Sequence, residues 1–397
     1  MTVSEDLPTL EALRSPALGD NPHLRRMQAE KPLWRVRTAT GDEGWLVLGH
    51  SEIKQLMLDP RLGRTHPNPE QAAQAAKNPI FELIASTGAG SDPHEMHQQV
   101  RALLIPYFTS KRMKELRQGI ERIVHEAVDE LLTMTPPVDL QPAFSLPVPL
   151  RVLCELMGVP EEERDQLAVL LDGMHGTGEN SSAEGAAAFF AYLSDLVDRK
   201  RADPGDDLIS GICPQLENNQ LVVVIVCLLL FAGHESIATH IGNGMARLLT
   251  RPDLREAVTG DPELMHTAVE EMLRTANFGG GWQPHYALED IELCGEKISA
   301  GDLVLPDFAM ANFDPRSFAE PERVDFHRTP NPHLTFAHGA WYCIGAPLAR
   351  LELNIAFTAL LTRIPTLRLT VEPEELTDPE KVRTRLSATL AWLPVAW

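Results

Sequence analysis

From Asn219 to Thr250 the chain carries a helix-forming stretch whose first half, LVVVIVCLLLFAGH, is apolar on every side. A helix without a polar face has no place on a wet surface, so it must run through a core that other elements build around it. Its longest apolar run, Leu221 to Gly233, is shorter than the ~20 residues needed to cross a bilayer. The demand is therefore for packing neighbours, and 397 residues are enough to supply them. At the centre lie Ala232, Gly233, His234, Glu235 and Ser236. Glycine inside a helix costs about 1 kcal/mol relative to alanine. An acid beside an alcohol in an apolar core carries a desolvation penalty of its own. Both need a reason.

A second segment carries the chemistry. Residues Phe336 to Arg350 read FAHGAWYCIGAPLAR. Cys343 falls on a short loop closed by Gly339 and Gly345, and Pro347 opens an apolar, helix-period segment running to Arg363. A cysteine just ahead of a helix meets backbone N–H groups and the positive end of the helix dipole. Such a thiol sheds its proton readily and ligates a soft metal well. Heme iron needs only one thiolate, because the porphyrin supplies the other in-plane donors.

Composition narrows the remaining classes. Net charge is −21, from 35 basic and 56 acidic residues, which argues against a general binder of nucleic acid or anionic membranes. The five cysteines, Cys154, Cys213, Cys227, Cys294 and Cys343, are odd in number and lack C-x-x-C spacing. That disfavours a disulfide scaffold or a zinc site and suits a reducing cytoplasm. The start, MTVSEDLPTL, has neither a basic nor an apolar export region. The expectation is a soluble cytoplasmic protein.

Periodicity and turn residues place the other elements. Leu33 to Thr38 and Gly44 to Leu48 read as two strands, and Ser51 to Leu58 as a helix stopped by Asp59-Pro60. Residues 65–91 read as a long loop. Helices are expected from Asp92 to Thr133, from Pro149 to Met157, on both sides of a hinge at 175–185, and from Pro262 to Thr275. Short strands are expected at Ile291 to Leu293, Leu303 to Leu305 and Leu367 to Val371, with a terminal hairpin from Arg385 to Val395. The sum is a mainly α chain with a small β lobe, in one continuous domain over 1–397.

The pattern F-x-x-G-x-x-x-C-x-G-x-x-L-A-R, filled by Phe336, Gly339, Cys343, Gly345, Leu348, Ala349 and Arg350, resembles the proximal heme-binding loop of the cytochrome P450 superfamily. The resemblance extends over nearly the whole length. It includes E-x-x-R at Glu271 and Arg274, the segment Ala311-Asn312-Phe313-Asp314-Pro315 and the stretch Arg323 to Arg328. It implies the P450 fold and heme b (iron protoporphyrin IX) with Cys343 as iron ligand. Phe336 and Gly345 would frame that loop, and Glu271 with Arg274 would lock the segment beneath the heme.

The same resemblance assigns further roles. Ala232 and Gly233 would leave room for dioxygen, and Glu235 with Ser236 would deliver protons. Serine in place of the usual threonine keeps the hydroxyl and loses the methyl that stiffens the rotamer. His97 and Arg101 form the H-x-x-x-R clamp for the heme propionates, with Met96 in the common histidine slot. Trp341 and His285 stand where cationic anchors are usual, and each can donate one hydrogen bond. Substrate contacts would come from 65–91, 160–200, Ala276 to Trp282 and Ser387 to Thr389.

The expected activity is monooxygenation of an organic substrate in secondary metabolism. Electrons would come from NAD(P)H through a ferredoxin and a ferredoxin reductase, since no nucleotide or flavin motif is present. The first substrate reading is β-hydroxylation of a carrier-protein-tethered amino acid in nonribosomal peptide assembly. The alternatives are a free polyketide, macrolide or terpenoid, and a heme-thiolate binding protein without oxygenase turnover. The basic cluster Lys111, Arg112, Lys114 and Arg117 is a candidate docking patch for the redox partner.

Overall fold

A tight turn at Gly41, at φ 91°, sets the first two strands antiparallel, Leu33–Arg37 against the largely buried Glu43–Val47. The computed structural model describes residues 7–13, 21–66, 68–76, 93–172, 183–276, 282–377, 390 and 392–397. It divides into two compact units. The first draws on Met1–Gln98, Leu273–Val324 and Pro330–Cys343, and the second on Gln99–Met272, Asp325–Thr329 and Ile344–Trp397.

The first unit is built on a five-stranded sheet. In spatial order its strands are Leu33–Arg37, Glu43–Val47, Leu303–Pro306, His285–Ala287 and Leu62–Gly63. Glu43–Val47 pairs parallel to Leu303–Pro306, and the other pairings are antiparallel. A two-stranded ribbon, Ile291–Leu293 with Glu296–Ile298, accompanies it. One core cluster joins Val47, Ile53, Leu56, Leu62, Val304 and Trp341, so the indole near Cys343 is part of the hydrophobic interior.

The second unit is helical. The stretch from Asn219 to Thr250 forms a single 32-residue helix capped by the Asn218 side chain. It packs against Pro147–Met157, Ala183–Ala202 and Ala346–Arg363, which provide the surround its apolar sequence requires. By length and hydropathy this helix alone, among the described residues, could cross a membrane, yet 61% of its most apolar window is buried inside the protein. It is a core helix. Gly244 lets the Phe357 ring come close, since a Cβ there would lie 2.4 Å from Phe357 Cζ. Pro147–Met157 ends on Gly158 in the left-handed region, at φ 75°.

Most expected elements are present with shifted ends. The span Asp92 to Thr133 is two helices, Pro93–Leu104 and Ser110–Thr133, separated by a 3-10 turn that begins at Ile105-Pro106. Proline at 106 cannot donate the next helical bond, which explains the break. The strand expected at Leu367 to Val371 shortens to Arg368–Leu369. It pairs with Pro394–Ala396, which also pairs with Val138–Asp139. The rest of the terminal hairpin, the Asp92 cap and most of the 175–185 hinge lie outside the described residues.

The Met265–Thr275 helix carries three side chains that tie irregular segments down. In the first unit Arg274, wholly buried, donates to the carbonyls of Asn312 and Pro321, each at 2.8 Å, and of Arg323 at 3.3 Å. The Phe313 and Phe318 rings stand 5.6 and 5.2 Å from its guanidinium carbon. In the second unit Glu271 accepts from Asp325 N and from Arg328 Nε. Its neighbour Glu270 takes Arg350 in a two-point pair, at 2.6 and 2.9 Å. Within the E-x-x-R motif each charge thus holds a different segment of its own unit.

This arrangement makes a prediction about charge without geometry. Arg274→Lys keeps the cation, but one ammonium cannot serve three carbonyls spread over 312–323. The expected loss is about 3 kcal/mol or more, read as a lower urea midpoint and reduced heme content of the purified protein. An unchanged midpoint would contradict this role for Arg274.

Candidate active site

The loop that presents Cys343 is fixed from its upstream end. Asn312, held through its carbonyl by Arg274, accepts from Leu334 N at 2.6 Å and donates to Thr335 Oγ1 at 3.0 Å. Thr335 Oγ1 donates to Leu273 O at 2.9 Å. Immediately after this anchor, Phe336 O accepts from Cys343 N at 2.8 Å and closes the loop on itself. Inside it Ala337 and Gly339 lie at φ 58° and 61°. Gly339 is required twice over, because a Cβ would fall 2.8 Å from Leu58 Cδ2 and 3.0 Å from Met57 O. Phe336 is buried and Cys343 is exposed, so the loop turns its ring inward and leaves its thiol accessible. Gly345 sits at the N-cap of Ala346–Arg363 with φ −77°.

Around Trp341 the first unit gathers a polar cluster. The His97 ring lies 4.4 Å from the indole, the His285 ring meets it edge-on at 5.9 Å, and the Arg64 guanidinium carbon stands 5.6 Å above it. The structure therefore brings together three of the residues expected to anchor the heme propionates, His97, His285 and Trp341. His285 is fully buried and its Nδ1 donates to Gln283 O at 2.9 Å. Burial first, and the Arg64 charge second, pull its pKa down to about 3, so the ring is neutral. With the proton on Nδ1, the buried Nε2 is a bare lone pair that has no hydrogen-bond partner among the described residues.

Arg64 is the residue that sequence reasoning missed. It follows the Leu62–Gly63 strand on a loop, in no motif and at no helical spacing that could have singled it out. Its Nη2 donates to Gln283 Oε1, while its Nε is buried and has no partner among the described residues. Burial lowers its pKa to about 10, partly offset by the pull of the Cys343 sulfur. The buried, unpartnered Nε–H of this half-enclosed cation, beside a thiol loop, offers a cradle for an anion-bearing group. The two carboxylates of heme b fit that cradle.

The second unit holds the other expected residues. Along the long helix Glu235 is buried, Ser236 and Gly233 are half-buried and Ala232 is exposed. Ser236 Oγ donates back to Ala232 O, so the hydroxyl's proton is committed and its lone pairs remain to accept. His234 Nε2 meets Leu146 O at 3.0 Å. Gly233 has a packing reason of its own: a Cβ would lie 3.0 Å from Leu153 Cδ2. Arg101 is half-buried on Pro93–Leu104, one turn beyond His97.

Other expectations fare differently. The basic cluster is not bare, since Lys111 and Arg112 pair with Glu115, and Arg117 with Glu121. Such surface pairs are weak, and the carboxylates beside the cluster offset part of its positive field. Trp282, expected in a substrate-facing loop, is buried and donates to Asp307 Oδ2 at 3.0 Å, which makes it a core residue. Residues 277–281 of that loop, residues 67 and 77–91, and the segment Ser387 to Thr389 lie outside the described residues.

Comparisons with known proteins bear on the family. The profile of the family described as "Cytochrome P450" matches residues 214–390. The chain is 36% identical to mycinamicin IV hydroxylase/epoxidase of Micromonospora griseorubida over 384 residues, 94% of each protein. It is 36% identical to pentalenolactone synthase of Streptomyces exfoliatus over 383 residues, 94% of this chain and 95% of that protein. A crystal structure of substrate-free cytochrome P450 PimD, a polyene macrolide antibiotic pimaricin epoxidase, superimposes with a TM-score of 0.88 at 42% identity. That match covers 99% of this chain and all of the other.

The loop geometry gives a direct check. Gly339→Ala forces an L-residue into the left-handed region, at about 1–2 kcal/mol, and adds the clash with Met57 and Leu58. The variant should hold less heme and melt earlier than the parent; equal heme content and melting temperature would show that the loop tolerates the change. With a cysteine loop built in this way and likeness running through nearly the whole chain, the protein belongs to the cytochrome P450 family and is a heme-dependent monooxygenase that carries heme b.

Proposed function

We propose that this enzyme hydroxylates or epoxidises a macrolide in an antibiotic-producing pathway. The observation that carries the reading is the near full-length likeness, at 42% identity, to the structure of a polyene macrolide antibiotic epoxidase. The 36% identity to a mycinamicin hydroxylase/epoxidase points the same way. The weight thereby moves from the carrier-tethered amino acid to the free macrolide.

In this proposal the chain works as one soluble, cytoplasmic heme-thiolate domain. Bound heme supplies the oxidising chemistry. One atom of dioxygen enters a C–H bond or an alkene, and the other leaves as water with two electrons and two protons. The Cys343 thiolate is the protein's ligand to the iron. Phe336, Gly339 and Gly345 shape the loop that aims it. His97, Arg101, His285 and Trp341 line the propionate end. Ser236 Oγ, its own proton given to Ala232 O, accepts a hydrogen bond at the oxygen site. Glu235 carries protons in from the core. Ala232 and Gly233 keep the helix surface low there. A ferredoxin and its reductase deliver the electrons.

Two experiments test these assignments. A macrolide panel and an aminoacyl carrier protein are titrated into the ferric enzyme. The macrolides should shift the heme absorption toward the high-spin form, whereas a shift with the carrier protein alone would reverse the assignment. For the relay, Ser236→Ala should keep the heme spectrum and lower product formed per NAD(P)H by about tenfold, with hydrogen peroxide accounting for the difference. Full coupling in that variant would remove Ser236 from the proton path.

A further inference from the structure

Heme b brings two carboxylates that must leave bulk water, and each needs donors that carry charge or at least a proton. The candidates near Cys343 in the first unit are unequal. Trp341 has one indole N–H and no charge. His285 spends its Nδ1 proton on Gln283 O, so its Nε2 presents a lone pair to an arriving carboxylate, the wrong polarity for a contact. Arg64 differs. It is charged, it lies over the Trp341 ring, and its buried Nε has no partner among the described residues. Gln283 ties both groups: its side-chain oxygen takes Arg64 Nη2 and its carbonyl takes His285 Nδ1. The guanidinium is thus held in place with part of its donor capacity unused.

We propose that Arg64 is the cationic anchor of a heme propionate in this enzyme, with Gln283 as the residue that positions it. Histidine at 285 is then no loss, because the cation comes from a different strand end, at Leu62–Gly63. A neutral His285 packs edge-on against Trp341 and leaves the carboxylate to Arg64. The inference rests on the heme-thiolate reading, and its test separates the two.

The experiment uses ferric holoenzyme and follows heme transfer to excess apomyoglobin, together with the ferric/ferrous midpoint potential. Arg64→Gln should lose heme about tenfold faster, and its potential should fall because a cation near the iron has been removed. Arg64→Lys should keep most of both properties. A purely structural arginine would change heme loss and melting temperature together and leave the potential where it was. Unchanged heme loss, an unchanged potential, or a lysine variant no better than glutamine overturns the proposal. If Arg64→Gln is recovered without heme, helical circular dichroism at parental strength supports the anchor, and an unfolded spectrum counts against it. A thiolate-type absorption spectrum in the parent keeps the Cys343 reading intact whatever Arg64 does.

Discussion

A single buried guanidinium fixes the geometry around the reactive cysteine. Arg274 has no exposed surface and holds the carbonyls of Asn312, Pro321 and Arg323 between two phenylalanine rings. A stretch of more than ten residues with little regular structure is thereby pinned to one side chain. Asn312 passes the restraint to Leu334 and Thr335, and the loop from Phe336 to Cys343 begins on the next residue. Loops carry function when a rigid scaffold sets their ends. Here the scaffold is a hydrogen-bond chain rather than a sheet.

The acidic half of the same helix works in parallel. Glu271 secures Asp325 and Arg328, and Glu270 secures Arg350. Buried charges are costly alone and tolerable when each donor and acceptor is matched. The arrangement explains why the motif needs both signs on one short helix: each charge reaches a separate segment. Specificity of position, more than raw stability, is what such a network confers.

Much of this was legible in the sequence. The all-apolar stretch at Asn219 to Thr250 dictated a core helix, and the run around Cys343 dictated a presented thiol. Glu271 and Arg274 were readable as a lock because helical spacing is local. What spacing could not reveal was contact between residues far apart in sequence. Arg64 lies more than two hundred residues from Gln283 and Trp341 and belongs to no periodic pattern. At Gly233 the atoms nearest the missing Cβ belong to Leu153, a packing partner that no local spacing announces. Trp282 stays in irregular backbone, but its ring is buried and its indole donates to Asp307, a contact that spacing does not reveal. The basic cluster on Ser110–Thr133 has Glu115 and Glu121 one helical turn away, and the pairs form at that spacing.

Every role proposed for this site depends on Cys343 being the iron ligand, presented by a loop that Arg274 and Asn312 hold. The most direct measurement is the absorption spectrum of the reduced enzyme under carbon monoxide, for the parent and for Cys343→His. The parent should show the long-wavelength band diagnostic of a thiolate ligand. The histidine variant should bind heme and show the shorter-wavelength band of an imidazole ligand. A thiolate-type band that survived in Cys343→His would mean that another cysteine holds the iron, and the site described here would be wrong.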